Sequence, residues 1–315
     1  MSAPASSATA GADRTPPAPR GAGVAGFISR FWVGLIRRSE HWTVQRRARI
    51  ASVVGTLAWL VVARRRRIAD ANLRACFPAM TARERRGIAR RLFCRVARGA
   101  LDYGILWHAP REGIHEFVRV DGLEHLHKPD NYPLIMLAPH FVGLDAGGSR
   151  IATEMKAVTI YARQSNEVFD HWLRMGRARF NEPVLIPRRG ADLRGVLRAM
   201  RAGLPFYYLP DMDNGRANSI FVPFLGVPAA TIPMVSRLAR GIDAKIVMTV
   251  TEQTDEGYVL HIEPPWQGFP GASIEEDTER MNREIERWVL RMPDQYLWTH
   301  RRFKTRPEGV GSIYS

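Results

Sequence analysis

Residues 131–148 read NYPLIMLAPHFVGLDAGG, and this stretch restricts the architecture of the chain more than any other. The run from Pro133 to Ala138 is almost wholly apolar, which fits a strand covered on both faces, as in a parallel sheet flanked by helices. Pro139 stops the strand, so His140 falls just past its carboxyl end, where open α/β sheets bind their ligands. Gly143 permits a turn, and Asp145 then opens a helix running through Ala146 to Ala152, near the positive end of its dipole. On one continuous helix, five residues turn through about 140° and would separate His140 from Asp145. With His140 in the turn they can meet, the carboxylate orienting the imidazole and the ring taking a proton from a hydroxyl. The spacing alone leaves a second reading open, in which His140 is a polar strand-end residue and Asp145 an ordinary helix-start acid.

Beyond Ala152 the chain keeps the rhythm of strand, helix, strand. Ala157 to Tyr161 predicts a strand, with a helix after it through Trp172, Met175 and Phe180. Val184 to Ile186 predicts a short strand, Asp192 to Ala202 a helix closed by Gly203, and Phe206 to Leu209 another strand. Ala244 to Thr251 and Tyr258 to Ile262 predict a hairpin-like pair near the end of the sheet. Thr81 with Glu84 and Ser273 with Glu276 form capping boxes for two further helices, and Thr231 is placed as the N-cap of a helix to Arg240 that Gly241 stops. The fold class is therefore α/β: a single domain with a mostly parallel central sheet flanked by helices. Asp211 and Asp213, in PDMDNG, stand past the strand that ends at Leu209, on the rim expected for His140. A calcium loop is excluded, because the glycine comes one place early and position twelve is Val222 rather than an acid. No metal site is expected.

With 315 residues the chain can bury a sizeable core, but its formal net charge of +15 demands an acidic partner. Residues 1–26 are rich in Ala, Ser, Pro and Gly and predict a disordered tail without a secretory apolar region, although its poverty in acids leaves a transit peptide open. From Phe27 an amphipathic basic helix carries Phe31, Trp32, Leu35 and Ile36, with Arg30, Arg37 and Arg38 around them. Ala51 to Ala63 forms a second apolar helix bracketed by arginines, too short at roughly 20 Å to cross a bilayer core of about 30 Å. Residues 27–67 are thus read as helices lying on an anionic membrane surface, the alternative being a core helix with solvated arginines. Removing the chain through Ala63 is expected to free the protein from membranes and leave the body folded. Cys76 and Cys94 have neither metal spacing nor a disulfide framework. Nucleic acid is disfavoured as the acidic partner, since no recognisable nucleic-acid motif is present and the basic residues adjoin apolar helices.

His140-Phe-Val-Gly-Leu-Asp145 resembles the H-x4-D motif of the lysophospholipid acyltransferase superfamily, and its surroundings resemble the late lipid A acyltransferases. The likeness runs from about Arg65 to Gly309, with the pieces in the family's order. Tyr161-Ala162-Arg163-Gln164-Ser165-Asn166 stands where the family has Tyr-Arg-Pro-x-x-Asn, so the arginine has moved by one position. Gly176-Arg177-Ala178-Arg179-Phe180 matches better, and the family implicates the first arginine in catalysis; on spacing alone, Arg177 reads as a solvated helix face. Asp211-Met212-Asp213 replaces the usual Asp-Gln-Asp. Residues 292–309, MPDQYLWTHRRFKTRPEG, resemble the C-terminal signature, with Asp294 for the family's glutamate.

The resemblance implies an O-acyltransferase needing no cofactor beyond its acyl thioester co-substrate. His140 is the implied base, Asp145 its orienting group, Arg177 a support for developing charge or a phosphate, and Asp211 a holder of Arg177 or of a loop. Arg163, Asn166, Asp213, His300, Arg301, Arg302 and Lys304 are the implied substrate-binding residues. The implied donor is acyl carrier protein, the acceptor a 3-hydroxyacyl chain of a membrane lipid A precursor, and the location the cytoplasmic face of a bacterial inner membrane. An acyl coenzyme A enzyme acting on another lipid, and a non-catalytic membrane-binding relative, are the alternatives. The catalytic domain is set at 68–309, with 310–315 as a tail.

Overall fold

The computed structural model describes residues 23–188 and 193–314, so the expected N-terminal tail lies largely outside the described residues. Among the described residues, seven strands form one sheet in the order β1 (Val118–Asp121), β9 (Tyr258–Ile262), β8 (Lys245–Gln253), β2 (Leu134–Leu137), β5 (Phe206–Tyr208), β3 (Val158–Tyr161) and β4 (Val184–Pro187). All neighbours are parallel except the β8–β9 hairpin. A separate antiparallel hairpin joins β6 (Ile220–Phe224) to β7 (Val227–Thr231). β2 lies between β8 and β5 and is fully buried. Its side chains alternate between two cores: Leu134 and Met136 enter one, Ile135 and Leu137 the other. Each such burial contributes about 1.5–3 kcal/mol, so the apolar run that defined the strand also ties the two halves of the core together.

Helices cover both faces: α1 (Gly23–Ser39), α2 (Val44–Val61), α3 (Ala63–Cys76), α4 (Ala82–His108), α5 (Arg111–Phe117), the short α6 (Glu124–His127), α7 (Leu144–Glu154), α8 (Glu167–Arg177), α9 (Leu193–Arg201), α10 (Met234–Ile242) and α11 (Ile274–Arg291). The Thr81–Glu84 capping box is formed and starts α4. At α11, Ser273 accepts from the Glu276 backbone. Thr231 is not a helix cap. It ends β7 with its hydroxyl on the Ala229 carbonyl, and α10 begins after Pro233 and closes on Asp243 in the left-handed conformation, not on Gly241. The cause is the hairpin: residues 220–231 pair with one another as strands, and the chain is free to start a helix only beyond Thr231.

The apolar helix expected to reach Ala63 stops at Val61, and α3 starts at Ala63. Among the described residues, no helix is long and apolar enough to cross a membrane. α2 has two faces. Ala51 and Gly55 pack on α4 so closely that a Cβ on Gly55 would lie 2.4 Å from the Cys94 Cα. Val53, Leu57, Leu60 and Val61 are exposed, as are Phe31 and Trp32 on α1.

Arg47, read from the sequence as one of the flanking arginines, is 1% exposed and pairs with fully buried Asp102 at 2.8 Å. Asp102 is also met by Arg98 at 3.4 Å and by the Tyr258 hydroxyl at 2.7 Å. Arg47 Nη1 donates to the Trp42 carbonyl at 2.6 Å. The N-terminal helices are therefore tied into the body through a buried charge cluster, so their removal would expose that cluster as well as take away an apolar surface. At the other end of the chain, Tyr314 donates to Asn72 at 2.6 Å and accepts from the Phe303 backbone at 3.0 Å, which packs the last residues onto the domain.

Candidate active site

β2 and β5 are hydrogen-bonded neighbours with Leu137 opposite Tyr208, and the Ala138 N–H donates to the Tyr208 carbonyl at 2.8 Å. His140 and Asp211 each stand three residues beyond that pair, so the register brings them to the same level at the sheet's carboxyl end. The Asp211 carboxylate meets His140 twice: Oδ1 lies 2.7 Å from Nδ1, and Oδ2 accepts the His140 backbone N–H at 2.9 Å. Burial pushes the Asp211 carboxyl up, but the His140 contacts and the charge of Arg302 outweigh it and hold the group well below the usual carboxylate range. It stays ionised, so in the neutral imidazole of His140 the Nδ1 facing it is the protonated nitrogen and Nε2 is the acceptor. His140 is 15% exposed and lines a cleft of about 950 Å³.

The expected pairing of His140 with Asp145 is replaced by two separate pairs. Asp145 opens α7 and lines the same cleft, but its Oδ1 accepts from Arg177 Nε at 3.0 Å and from Arg177 Nη2, while its Oδ2 accepts the Tyr103 hydroxyl. Burial pushes the Asp145 carboxyl up, and Arg177 with the Tyr103 hydroxyl outweighs this and holds it below its ordinary range. Asp211, expected to hold Arg177 or a loop, is instead the partner of His140. Arg177 ends α8, and a Cβ on the preceding Gly176 would fall 2.1 Å from the Trp107 ring, so the missing side chain lets α8 approach α4.

The C-terminal block supplies the far wall. The Leu297 N–H donates to the His140 carbonyl and the Val142 N–H to the Gln295 carbonyl, both at 2.9 Å. Next comes His300, its ring 5.0 Å from that of His140 and set edge-on, with its carbonyl held by Asn72 Nδ2 at 2.7 Å. Burial lowers His300 to about 4; His140, Arg65 and Arg188 press the same way against the opposing charge of Asp211. A histidine depressed in the fold binds its proton more readily when unfolded, so stability should fall as pH drops from 6.5 towards about 4. The H300Q variant should flatten the melting temperature against pH over that window; an unchanged slope would assign the titration to another group.

The other implied substrate residues are placed differently. Arg163 is exposed and pairs with Glu167 at 3.1 Å, and Asn166 caps α8 through the Phe169 N–H. Asp213 accepts from the Thr305 backbone at 2.6 Å and the Thr305 hydroxyl at 2.8 Å, fastening the C-terminal segment. Arg302 is buried, donating to the Ala230 carbonyl at 3.0 Å and Thr231 Oγ1 at 2.9 Å, so it holds the β6–β7 hairpin instead of facing a ligand. Arg301 lies over the Tyr314 ring, and Lys304 is exposed. None of these six lines the cleft. Tyr103 and Arg188 do line it and were missed by sequence reasoning. Tyr103 sits one helical turn before Trp107, and only that aromatic spacing on α4 hinted at it.

A second, apolar pocket is lined by Gly148, Ile151, Ala152, Met155, Leu185 and Tyr207 among others, and Asp145 and Arg177 belong to its wall as well as to the cleft. Residues 32–305 match the sequence profile of the bacterial lipid A biosynthesis acyltransferases. The chain belongs to that family. It is 32% identical over 295 residues to a lipid A biosynthesis lauroyltransferase of Escherichia coli K12, covering 90% of this chain and 95% of the relative. Similarity to the palmitoleoyltransferase of the same organism is 32% over 268 residues, covering 83% and 86%. To its myristoyltransferase it is 29% over 249 residues, covering 78% and 76%. In this lipid A acyltransferase, then, His140, Asp145, Arg177 and His300 surround one cleft, with Asp211 buried behind His140.

Proposed function

We propose that the protein transfers a fatty acyl chain from acyl carrier protein to the hydroxyl of a 3-hydroxyacyl chain on a lipid A precursor, with His140 as general base. The observation that carries this reading is the Asp211–His140 pair at the wall of the cleft. His140 Nε2 takes the acceptor's hydroxyl proton as the oxygen attacks the thioester carbonyl carbon. The carbon–sulfur bond breaks, and the leaving thiolate takes the proton back from His140, so no acyl-enzyme is needed. Asp211 holds the ring's tautomer and stabilises the imidazolium that forms. Arg177 lies where it can meet negative charge developing on the carbonyl oxygen or a substrate phosphate. The apolar pocket beyond Arg177 suits a hydrocarbon chain.

The acceptor's route fits a membrane surface. Val96 is exposed and lines the cleft, two residues from Cys94, where α4 packs on Gly55 of α2. The cleft thus has one wall on α4, the helix that carries α2 and its exposed apolar ridge. Phe31 and Trp32, with the exposed arginines of α1 to α3, suit anionic headgroups and apolar tails together, as expected of a peripheral protein on the cytoplasmic face of the inner membrane. The strongly basic chain also suits an acidic carrier protein, and turnover per KM should then fall steeply with salt.

The test is the purified protein with a hydroxyacyl lipid A precursor and either acyl carrier protein or acyl coenzyme A as donor, read by mass spectrometry. A gain of one acyl mass with the carrier-protein donor is expected. No gain with either donor would refute the reading, and a salt-independent preference for coenzyme A would replace the donor.

A further inference from the structure

We propose that Tyr103 is a positioning residue: its hydroxyl fixes one oxygen of Asp145, and through Asp145 it sets the orientation of Arg177 in the wall between the cleft and the apolar pocket. For catalysis this rests on the acyl-transfer reading above, whereas the positioning itself does not.

An arginine and a carboxylate left to themselves favour two parallel bonds, one to each oxygen. Here both Arg177 Nε and Nη2 converge on Asp145 Oδ1, because Oδ2 is taken by the Tyr103 hydroxyl. The end-on arrangement turns the guanidinium relative to the carboxylate, and Nη1 has no hydrogen-bond partner among the described residues. Arg177 lines both the cleft and the pocket, so that turn decides what its remaining N–H groups offer to a ligand oxygen at the junction.

Tyr103 has little freedom to do anything else. Its ring stacks on Trp107 at 4.7 Å and meets the edge of Phe169 at 6.0 Å, while Trp107 stacks in turn on Trp172 at 6.4 Å. This aromatic pile, shared by α4 and α8, holds the phenol at a fixed angle. Burial pushes the phenol well above its ordinary range, and the neighbouring Asp145 charge adds to the effect, so the group remains a proton donor throughout the working pH range.

The Y103F variant keeps the stacked ring and removes only the donor. Asp145 Oδ2 is then free for Arg177, and the guanidinium should swing towards the two-bond arrangement. The intact protein, wild type and Y103F, is treated with phenylglyoxal, and modification of Arg177 is followed by peptide mass spectrometry. Arg150, buried on α7 and paired with Glu154, is the internal reference. The Arg177 rate should change at least threefold while Arg150 and the melting temperature stay as in the wild type. In the acylation assay, kcat should fall about 10-fold, the scale of one lost hydrogen bond to a charged group, with KM nearly unchanged. Equal Arg177 rates in the two proteins would overturn the proposal, as would a change shared by Arg150 and accompanied by a lower melting temperature. Labelling reads the same whether or not the wild-type protein acylates a lipid A precursor, so failure of the reaction and failure of the positioning are told apart.

Discussion

Replacing Asp211 with asparagine should lower turnover by ~10² to 10⁴-fold, the range lost when a general base loses its orienting carboxylate. An amide keeps the size of the side chain but offers one oxygen for two N–H groups, so it cannot serve both His140 Nδ1 and the His140 backbone. The variant H140A should be about as inactive, and the double variant no worse than either, because the two residues act as one unit. A stability effect accompanies the rate effect. The depressed Asp211 carboxyl contributes stability that is complete above the unfolded carboxylate range and lost as pH falls through the folded value. D211N should therefore lower the melting temperature at neutral pH and flatten its decline in acid. D145N leaves the His140–Asp211 pair untouched and should cost less in turnover. If D145N were the more damaging of the two, the orienting role would return to Asp145.

The largest effect on stability is expected at Arg47. Its pair with Asp102 has no access to water, so R47A leaves a buried carboxylate with Arg98 and the Tyr258 hydroxyl as its remaining polar contacts. Breaking such a pair from one side costs about 3–5 kcal/mol, a large share of the margin of a domain this size. Denaturant unfolding followed by tryptophan fluorescence should show the midpoint fall accordingly. For the same reason, a chain lacking everything through Ala63 should fail to give a cooperative transition: it loses Arg47 and uncovers the α4 surface that Ala51 and Gly55 protect. A truncated protein that unfolds as sharply as the full chain would show that the helices are only an anchor.

Much of the scaffold is legible in the residues taken in order. The strand from Leu134 to Leu137 announces itself because both its faces are covered, and no polar alternation is left to confuse it. The α4 start is equally plain, since Thr81 and Glu84 satisfy each other's backbone within four residues. Local patterns mislead where a residue's partner lies far along the chain. Thr231 has the side chain of a helix cap but is held by Arg302, 71 residues away. Arg302 in turn sits in a block of aromatic and basic residues that looks like a ligand surface and is buried. Arg47 reads as a flanking charge because nothing local reveals Asp102.

The active site divides along the same line. That His140 ends a buried strand and Asp145 begins the next helix is dictated by a local run of apolar residues, a proline and a glycine, and these suffice to put both residues at the carboxyl end of the sheet. Which carboxylate orients the histidine depends on how the strands are ordered in space. β5 enters the sheet directly beside β2, and the register that sets Tyr208 opposite Leu137 carries Asp211 to His140. The return of α8 beside α4 brings Arg177 and Tyr103 to Asp145 and occupies both of its oxygens. Strand order and helix packing depend on contacts between distant residues, and no spacing within H-x4-D contains them.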